Sequence, residues 1–122
     1  MMAKETTAAK VNHPWSADAL LAKAQRYAQD MLSNTGNDWN FGLTSTFVLE
    51  FLARAALAKI SPALLADPKD WNNFYFAIGR TPTAAKFIPR SIDVTSVLAR
   101  LREVLPAFTP ELEGFALQHM GR

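Results

Sequence analysis

One segment of this sequence, from about Asp38 to Ile60, would be apolar around most of its circumference if it formed a helix. Its large apolar side chains include Phe41, Phe47, Val48, Leu49, Phe51, Leu52, Leu57 and Ile60. Between Asp38 at its start and the last turn it carries only two charges, Glu50 and Arg54, which are spaced to pair on one face. Such a helix must be covered by other helices, so the pattern predicts the central helix of a bundle.

Periodic apolar residues elsewhere predict the helices that cover this one. Ser16 is placed to cap a first helix, and Asp67 and Pro68 suit the cap and first position of a short third one. We predict helices over residues 17–32, 38–60, 68–78, 92–105 and from 110 onward, with a helical turn at 62–65. The sequence therefore predicts a single all-α bundle of about five helices in residues 15–122, after a flexible tail of residues 1–14.

The same periodicity predicts which side chains face the core. The third helix has one apolar face, made of Trp71, Phe74, Tyr75 and Ile78. The fourth helix turns Val94, Val97, Leu98, Leu101, Val104 and Leu105 inward and Arg100, Arg102 and Glu103 outward. The inward stripe of the last helix contains Leu112, Phe115 and Ala116.

Composition narrows the functions that are open to this chain. At 122 residues it holds one domain, and its formal net charge of +2 is too small to indicate nucleic-acid binding by itself. Because it has no cysteine, disulfides and thiolate sites are excluded. No stretch resembles a signal peptide or a membrane span, so we expect a cytoplasmic protein without a membrane partner. Scattered glycines, and carboxylates that suit helix faces, predict no phosphate loop, no metal and no cofactor.

Two histidines are the candidates for proton transfer near neutral pH. His13 lies in the predicted tail before Pro14, where we expect it to be solvated. His119, late in the last helix, is the better catalytic candidate. The same position suits a partly buried, hydrogen-bonded histidine, and both readings stay open.

Two groups of charged residues have a functional and a structural reading. Glu50 and Arg54 could mark an interface or a polar pocket, or form an ordinary pair at the edge of the bundle. Arg80, Lys86 and Arg90 lie close in sequence to aromatic residues, a combination that suits contacts with RNA. A solvated basic surface also accounts for them.

Several stretches resemble bacterial HEPN-like domains, helical bundles often associated with RNA cleavage. The similar stretches run from Leu20 to Met31, Phe47 to Leu57, Pro62 to Leu65 and Pro89 to Ile92. In that family an Arg, four to six residues and a His form a motif. Members commonly dimerise, and the motifs of both protomers build one metal-independent site for RNA cleavage. The resemblance implies proton transfer by the His and stabilisation of charge at the phosphate by the Arg.

Arg122 is the candidate for the Arg of this motif, because no Arg in the sequence is followed by a His after four to six residues. We therefore expect no nuclease activity from these 122 residues. The resemblance implies that the His would follow Arg122 in the natural reading frame, whereas a non-catalytic module predicts a stop codon there.

Three functional hypotheses follow. The first is an HEPN-like domain of an RNA-targeting stress or defence system, catalytically incomplete as given and acting as a homodimer or with a partner protein. The alternative is a non-catalytic helical module for dimerisation or protein interaction. A third is a small-molecule pocket lined by Trp39, Trp71 and Tyr75. Whether the protein is an enzyme is left open.

Overall fold

Five α-helices and one 3₁₀ turn follow one another in the computed structural model, which describes residues 13–33 and 38–120 and, for 38–41, the backbone alone. They are α1 (Ala17–Ser33), α2 (Asp38–Ile60), the turn η1 (Pro62–Leu65), α3 (Asn72–Ala77), α4 (Val94–Val104) and α5 (Pro110–His119). Because the described residues form no named strand, the predicted all-α bundle is confirmed. None of the described helices is long and apolar enough to cross a membrane.

The helices α1 and α2 pack along each other. Ser16 caps α1 as predicted, because its Oγ accepts a hydrogen bond from the N–H of Ala19 at 3.1 Å. Leu20 is buried on the α2 side of α1 as part of the core, and the ring of Tyr27 stacks on that of Phe51 with centroids 5.6 Å apart. These contacts hold α1 against one side of α2.

The C-terminal half of α2 lies at the centre of the molecule. There Leu57 is completely buried, Ala53 and Ala58 are nearly so, and the helix packs against η1 and α4. Alanine side chains allow the neighbouring backbones to approach closely, which favours this crowded position. Leu43 and Leu52 remain exposed, so the apolar surface of α2 is covered on only part of its circumference.

Hydrogen bonds between two loops join η1 to the start of α4. Ala66 and Ser91 form an isolated antiparallel bridge, and the N–H of Ile92 donates to the carbonyl of Leu65 at 2.8 Å. Ala66, Leu65 and Ile92 are all buried. The junction therefore fixes the entry of the chain into α4 against the core.

The helix α3 begins later than predicted, at Asn72 rather than after Asp67. Asp67 does not cap it, because its Oδ1 accepts from the N–H of Lys69 and its own N–H donates to the carbonyl of Arg90. The turn into the helix comes instead at Asp70, whose Oδ1 accepts from the N–H of Asn72 at 3.0 Å.

The predicted aromatic face of α3 is wrong in part. Its buried residues are Asn73 and Ala77, whereas Trp71 and Ile78 are exposed. Asn73 is 2% exposed. Its Nδ2 donates to the carbonyl of Asp67 at 3.1 Å, and its Oδ1 accepts from the N–H of Arg90 at 2.9 Å. One polar side chain thus satisfies two loops, which explains why it occupies the inner side of α3.

The helix α4 follows its predicted inner face, with Val97, Leu98 and Leu101 buried. Arg100, however, does not point outward. It is half-buried, and its Nη1 donates to the carbonyl of Leu64 and, at 3.5 Å, to that of Ala66. These carbonyls lie at the end of η1, where the turn leaves acceptors unpaired, so the guanidinium completes their hydrogen bonding.

Candidate functional site

The outer face of α5 is apolar and exposed, contrary to the predicted inward stripe. Leu112 is 49% exposed and Phe115 is 70% exposed, whereas Ala116 is buried. The helix rests on α4 through its other side, where Glu113 pairs with Arg102 at 3.4 Å. Ala116 is buried and Leu117 packs against the core, so of the large apolar side chains of this helix Leu112 and Phe115 are the ones turned to solvent.

His119 stands at the end of α5, beside α2. It is exposed, and its Nε2 lies 3.3 Å from the Oγ of Ser45, whose hydroxyl donates to the carbonyl of Gly42 at 2.8 Å. Since the hydroxyl proton is committed to that carbonyl, the Nε2 of His119 is the donor in this contact. The arrangement ties α5 to α2 and leaves Ser45 unsuited to act as a nucleophile activated by His119.

The candidate Arg122 lies outside the described residues, which end at Met120. Met120 is half-buried and packs against the core, and its backbone N–H donates to the carbonyl of Ala116 at 3.0 Å. The described chain is therefore held in place up to two residues before Arg122.

The pair predicted from the spacing of Glu50 and Arg54 forms, with Nη2 of Arg54 3.1 Å from Oε1 of Glu50. The side chain of Glu50 is 25% exposed and that of Arg54 is 12% exposed. Arg54 also donates from Nη1 to the Oγ of Ser91 at 3.2 Å. The pair thus links α2 to the loop before α4, and this contact gives Arg54 a structural role beside any role in an interface.

The predicted RNA-binding residues Arg80, Lys86 and Arg90 are all exposed in the loop between α3 and α4. They differ in their surroundings. Arg80 lines a shallow, open depression next to Tyr75, and neither Lys86 nor Arg90 lines it. The backbone of Arg90 is held by Asn73, so its position is fixed by the junction rather than by a ligand.

Some of the aromatic side chains near this loop pack against one another at the end of the bundle. Phe76 contacts Trp15, His13 and Phe87, with ring centroids 4.9, 4.5 and 6.2 Å away. Trp15 and these phenylalanines are half-buried, so they stabilise the end of the bundle. Of the four aromatic residues predicted beside the basic loop, Phe76 and Phe87 are engaged in these contacts, which leaves Phe74 and Tyr75.

His13 is not the solvated residue that the sequence suggested. It is half-buried, and its Nε2 donates to the carbonyl of Phe76 across 2.6 Å. Its Nδ1 accepts from the N–H of Trp15 at 2.9 Å, so both ring nitrogens are bonded. Trp15, an aromatic residue just before the first helix, was the signal that this part of the chain packs against the bundle.

The third hypothesis, a small-molecule pocket, relied on three aromatic residues. Trp39 belongs to residues 38–41, for which the structure describes the backbone alone. Trp71 and Tyr75 do come together, with ring centroids 6.4 Å apart and planes at 89°. Tyr75 lines an open depression beside Arg80, and Trp71 is not among the residues that line it.

Neither a metal site nor a similarity to a known protein assigns a function to this chain. Across residues 13–33 and 38–120, no three His, Cys, Asp or Glu side chains come together as a metal site. What the described residues offer is an exposed apolar helix face beside His119, and an aromatic and basic patch at Arg80. Neither a family model, nor a curated protein, nor a solved structure matches this chain.

Proposed function

We propose that this chain is an HEPN-like domain of an RNA-targeting stress or defence system, that it acts as a homodimer, and that it is catalytically incomplete in these 122 residues. The observation that carries the proposal is the exposed apolar face of α5, formed by Leu112 and Phe115. This face lies on the helix that leads to the candidate Arg122. A dimer through α5 would bring the two copies of the segment that follows this helix towards each other, as a composite site requires.

The energetics of α5 favour its burial in a dimer. Removing apolar surface from water stabilises a complex by about 25 cal/mol per Å², and an exposed Phe and Leu one turn apart form a compact apolar target. Both side chains are doubled in a two-fold interface, because each copy presents the same face. Monomeric proteins rarely expose a large contiguous apolar patch, so an exposed apolar face favours an interaction site.

The catalytic groups would come from the segment that follows α5 in each copy. In the proposed dimer, Arg122 would stabilise negative charge at the phosphate, and a His beyond it would transfer a proton. His119 already contacts Ser45, so we assign it to the attachment of α5 rather than to proton transfer.

Sedimentation velocity tests the dimer. We expect the parent chain to sediment as a dimer at micromolar concentrations and the variant Phe115→Asp to sediment as a monomer. The matched control is Ile88→Asp, which places the same charge at another exposed apolar residue, in the loop before α4, and should leave the dimer intact. A parent chain that is monomeric, or a Phe115→Asp variant that remains dimeric, contradicts the proposal.

RNA cleavage tests the catalytic part. We expect the residues after Arg122 in the natural reading frame to supply a His after four to six positions. A chain extended to include them should cleave single-stranded RNA in the presence of a chelator. The extended Arg122→Ala variant should lose this activity while it remains dimeric. A stop codon after Arg122, or cleavage that survives the substitution, would rule out this catalytic assignment.

One observation favours the alternative, a non-catalytic interaction module. Leu21, Leu32 and Leu52 on the hairpin of α1 and α2 are exposed, and Leu32 is 74% exposed. If this surface is the binding face, Leu32→Asp should abolish self-association and Phe115→Asp should not. Those two results together, with no cleavage by the extended chain, would replace the first proposal by the second.

A further inference from the structure

An exposed aromatic and basic patch lies at the beginning and end of α3. Trp71, immediately before the helix, is 63% exposed, and its ring meets that of Tyr75 nearly at a right angle. Tyr75 also lines the open depression that contains Gly79, Arg80, Thr81 and Thr83. Trp71 contacts Tyr75 through its ring, and Arg80 lines the depression together with Tyr75, so both residues are neighbours of the same tyrosine.

The fold builds this patch with specific bonds. Gly79 has a φ of 81°, a conformation that favours glycine, and it turns the chain back along α3. The N–H of Arg80 then donates to the carbonyl of Tyr75 at 2.7 Å. Farther on, Thr83 donates from its N–H and its Oγ1 to the Oδ1 of Asn72, at 2.7 and 3.0 Å. The segment from Gly79 to Thr83 is thus fastened at both ends to α3.

Charge decides which class of ligand suits the patch. Among the described residues, the guanidinium of Arg80 has neither an ion-pair nor a hydrogen-bond partner. A free cation here disfavours a cationic ligand, which two perpendicular aromatic rings could otherwise attract. The nearby carboxylate of Asp70 is hydrogen-bonded by the N–H and the Nδ2 of Asn72. A planar group with a negative charge beside it fits both the indole and Arg80.

We propose that Trp71, Tyr75 and Arg80 form a binding site for one nucleotide unit of single-stranded RNA. The base stacks on the exposed indole of Trp71, and the adjoining phosphate lies at the guanidinium of Arg80, with the hydroxyl of Thr81 at the same depression. The inference deepens the proposed function, on which it rests for the choice of RNA as the polymer. It needs no part of the dimer or of the catalytic motif.

Fluorescence anisotropy with an unstructured, labelled RNA octamer tests the site in the 122-residue chain at low ionic strength. Trp71→Ala removes the stacking of one base and should lower the affinity for the RNA by about tenfold. Trp71→Phe keeps an aromatic ring and should retain most of the binding. Arg80→Ala should also weaken binding by about tenfold and should lower the slope of log affinity against log salt by about 0.7. The matched control Lys59→Ala removes the same charge from the exposed end of α2 and should bind like the parent.

Other outcomes overturn the site. These are the absence of RNA binding by the parent chain, parent-like binding by Trp71→Ala or Arg80→Ala, or equal losses in Arg80→Ala and Lys59→Ala. Competition by adenosine monophosphate as strong, per nucleotide, as that by the octamer would assign the site to a free nucleotide instead. Because these side chains are exposed, thermal unfolding of the variants should match that of the parent.

A failure of this site and a failure of the proposed dimer give different results. A chain that binds RNA through Trp71 and Arg80 but sediments as a monomer supports this site and contradicts the dimer. If the chain is dimeric and its RNA affinity is unchanged by Trp71→Ala and Arg80→Ala, the result contradicts this site and leaves the dimer supported.

Discussion

Asn73 shows at the scale of one residue how this bundle depends on a buried polar group. Its two side-chain bonds hold the carbonyl of Asp67 and the N–H of Arg90, which belong to different loops. An asparagine among aromatic residues looks like a surface position in the sequence. Its role could not be predicted, because its partners are distant backbone atoms whose position only the fold determines.

Replacement of Asn73 by Ala should lower the free energy of unfolding by about 2–4 kcal/mol, because it leaves two backbone groups without partners near the core. Urea unfolding followed by circular dichroism measures the change. Asn72→Ala, which removes the half-buried neighbour bonded to Thr83, is the matched control and should cost no more than about 1 kcal/mol. Equal stabilities of the two variants would show that Asn73 is not the fastener of this junction.

At the scale of elements, periodicity predicted the positions of the helices better than their orientation. The bounds of α1, α2 and α4 agree with the pattern within two residues. In α5, however, the pattern offers two stripes that share Ala116, one with Leu112 and Phe115 and the other with Glu113 and Met120. The core receives the second stripe, where Met120 and the neighbouring Leu117 pack against the core and Glu113 pairs with Arg102 of α4. Local spacing cannot make this choice.

The two arginines of α4 give a test at the same scale. Arg100 donates to the carbonyls at the end of η1, whereas Arg102 makes a more exposed pair with Glu113. Arg100→Ala should therefore cost about 1.5–3 kcal/mol of stability, and Arg102→Ala should cost at most about 1 kcal/mol. Urea unfolding of both variants measures the difference. Equal losses would mean that Arg100 is as weakly engaged as the sequence first suggested.

At the scale of the whole molecule, the sequence was sufficient for the fold class but not for the binding surfaces. An all-round apolar helix, and a clear cap such as Ser16 at the start of its neighbour, require a helical bundle. The candidate site depends instead on what remains uncovered after packing. The exposure of Phe115 arises from the way α5 packs on α4, which no local pattern contains. The neighbourhood of Trp71, Tyr75 and Arg80 is local to α3, but the spacing alone does not reveal that Trp71 is exposed.

The proximity of two α5 helices is the central claim of this account. The chain has no cysteine, so the exposed Gln118 can be replaced by Cys and carry the only spin label of each copy. Pulsed EPR should then give one distance between copies within about 30 Å, since packed helices lie about 10 Å apart and each label adds length. The same label at Asp30→Cys on α1 provides the comparison and should give a longer distance. The absence of dipolar coupling at position 118, or a shorter distance at position 30, would contradict dimerisation through α5.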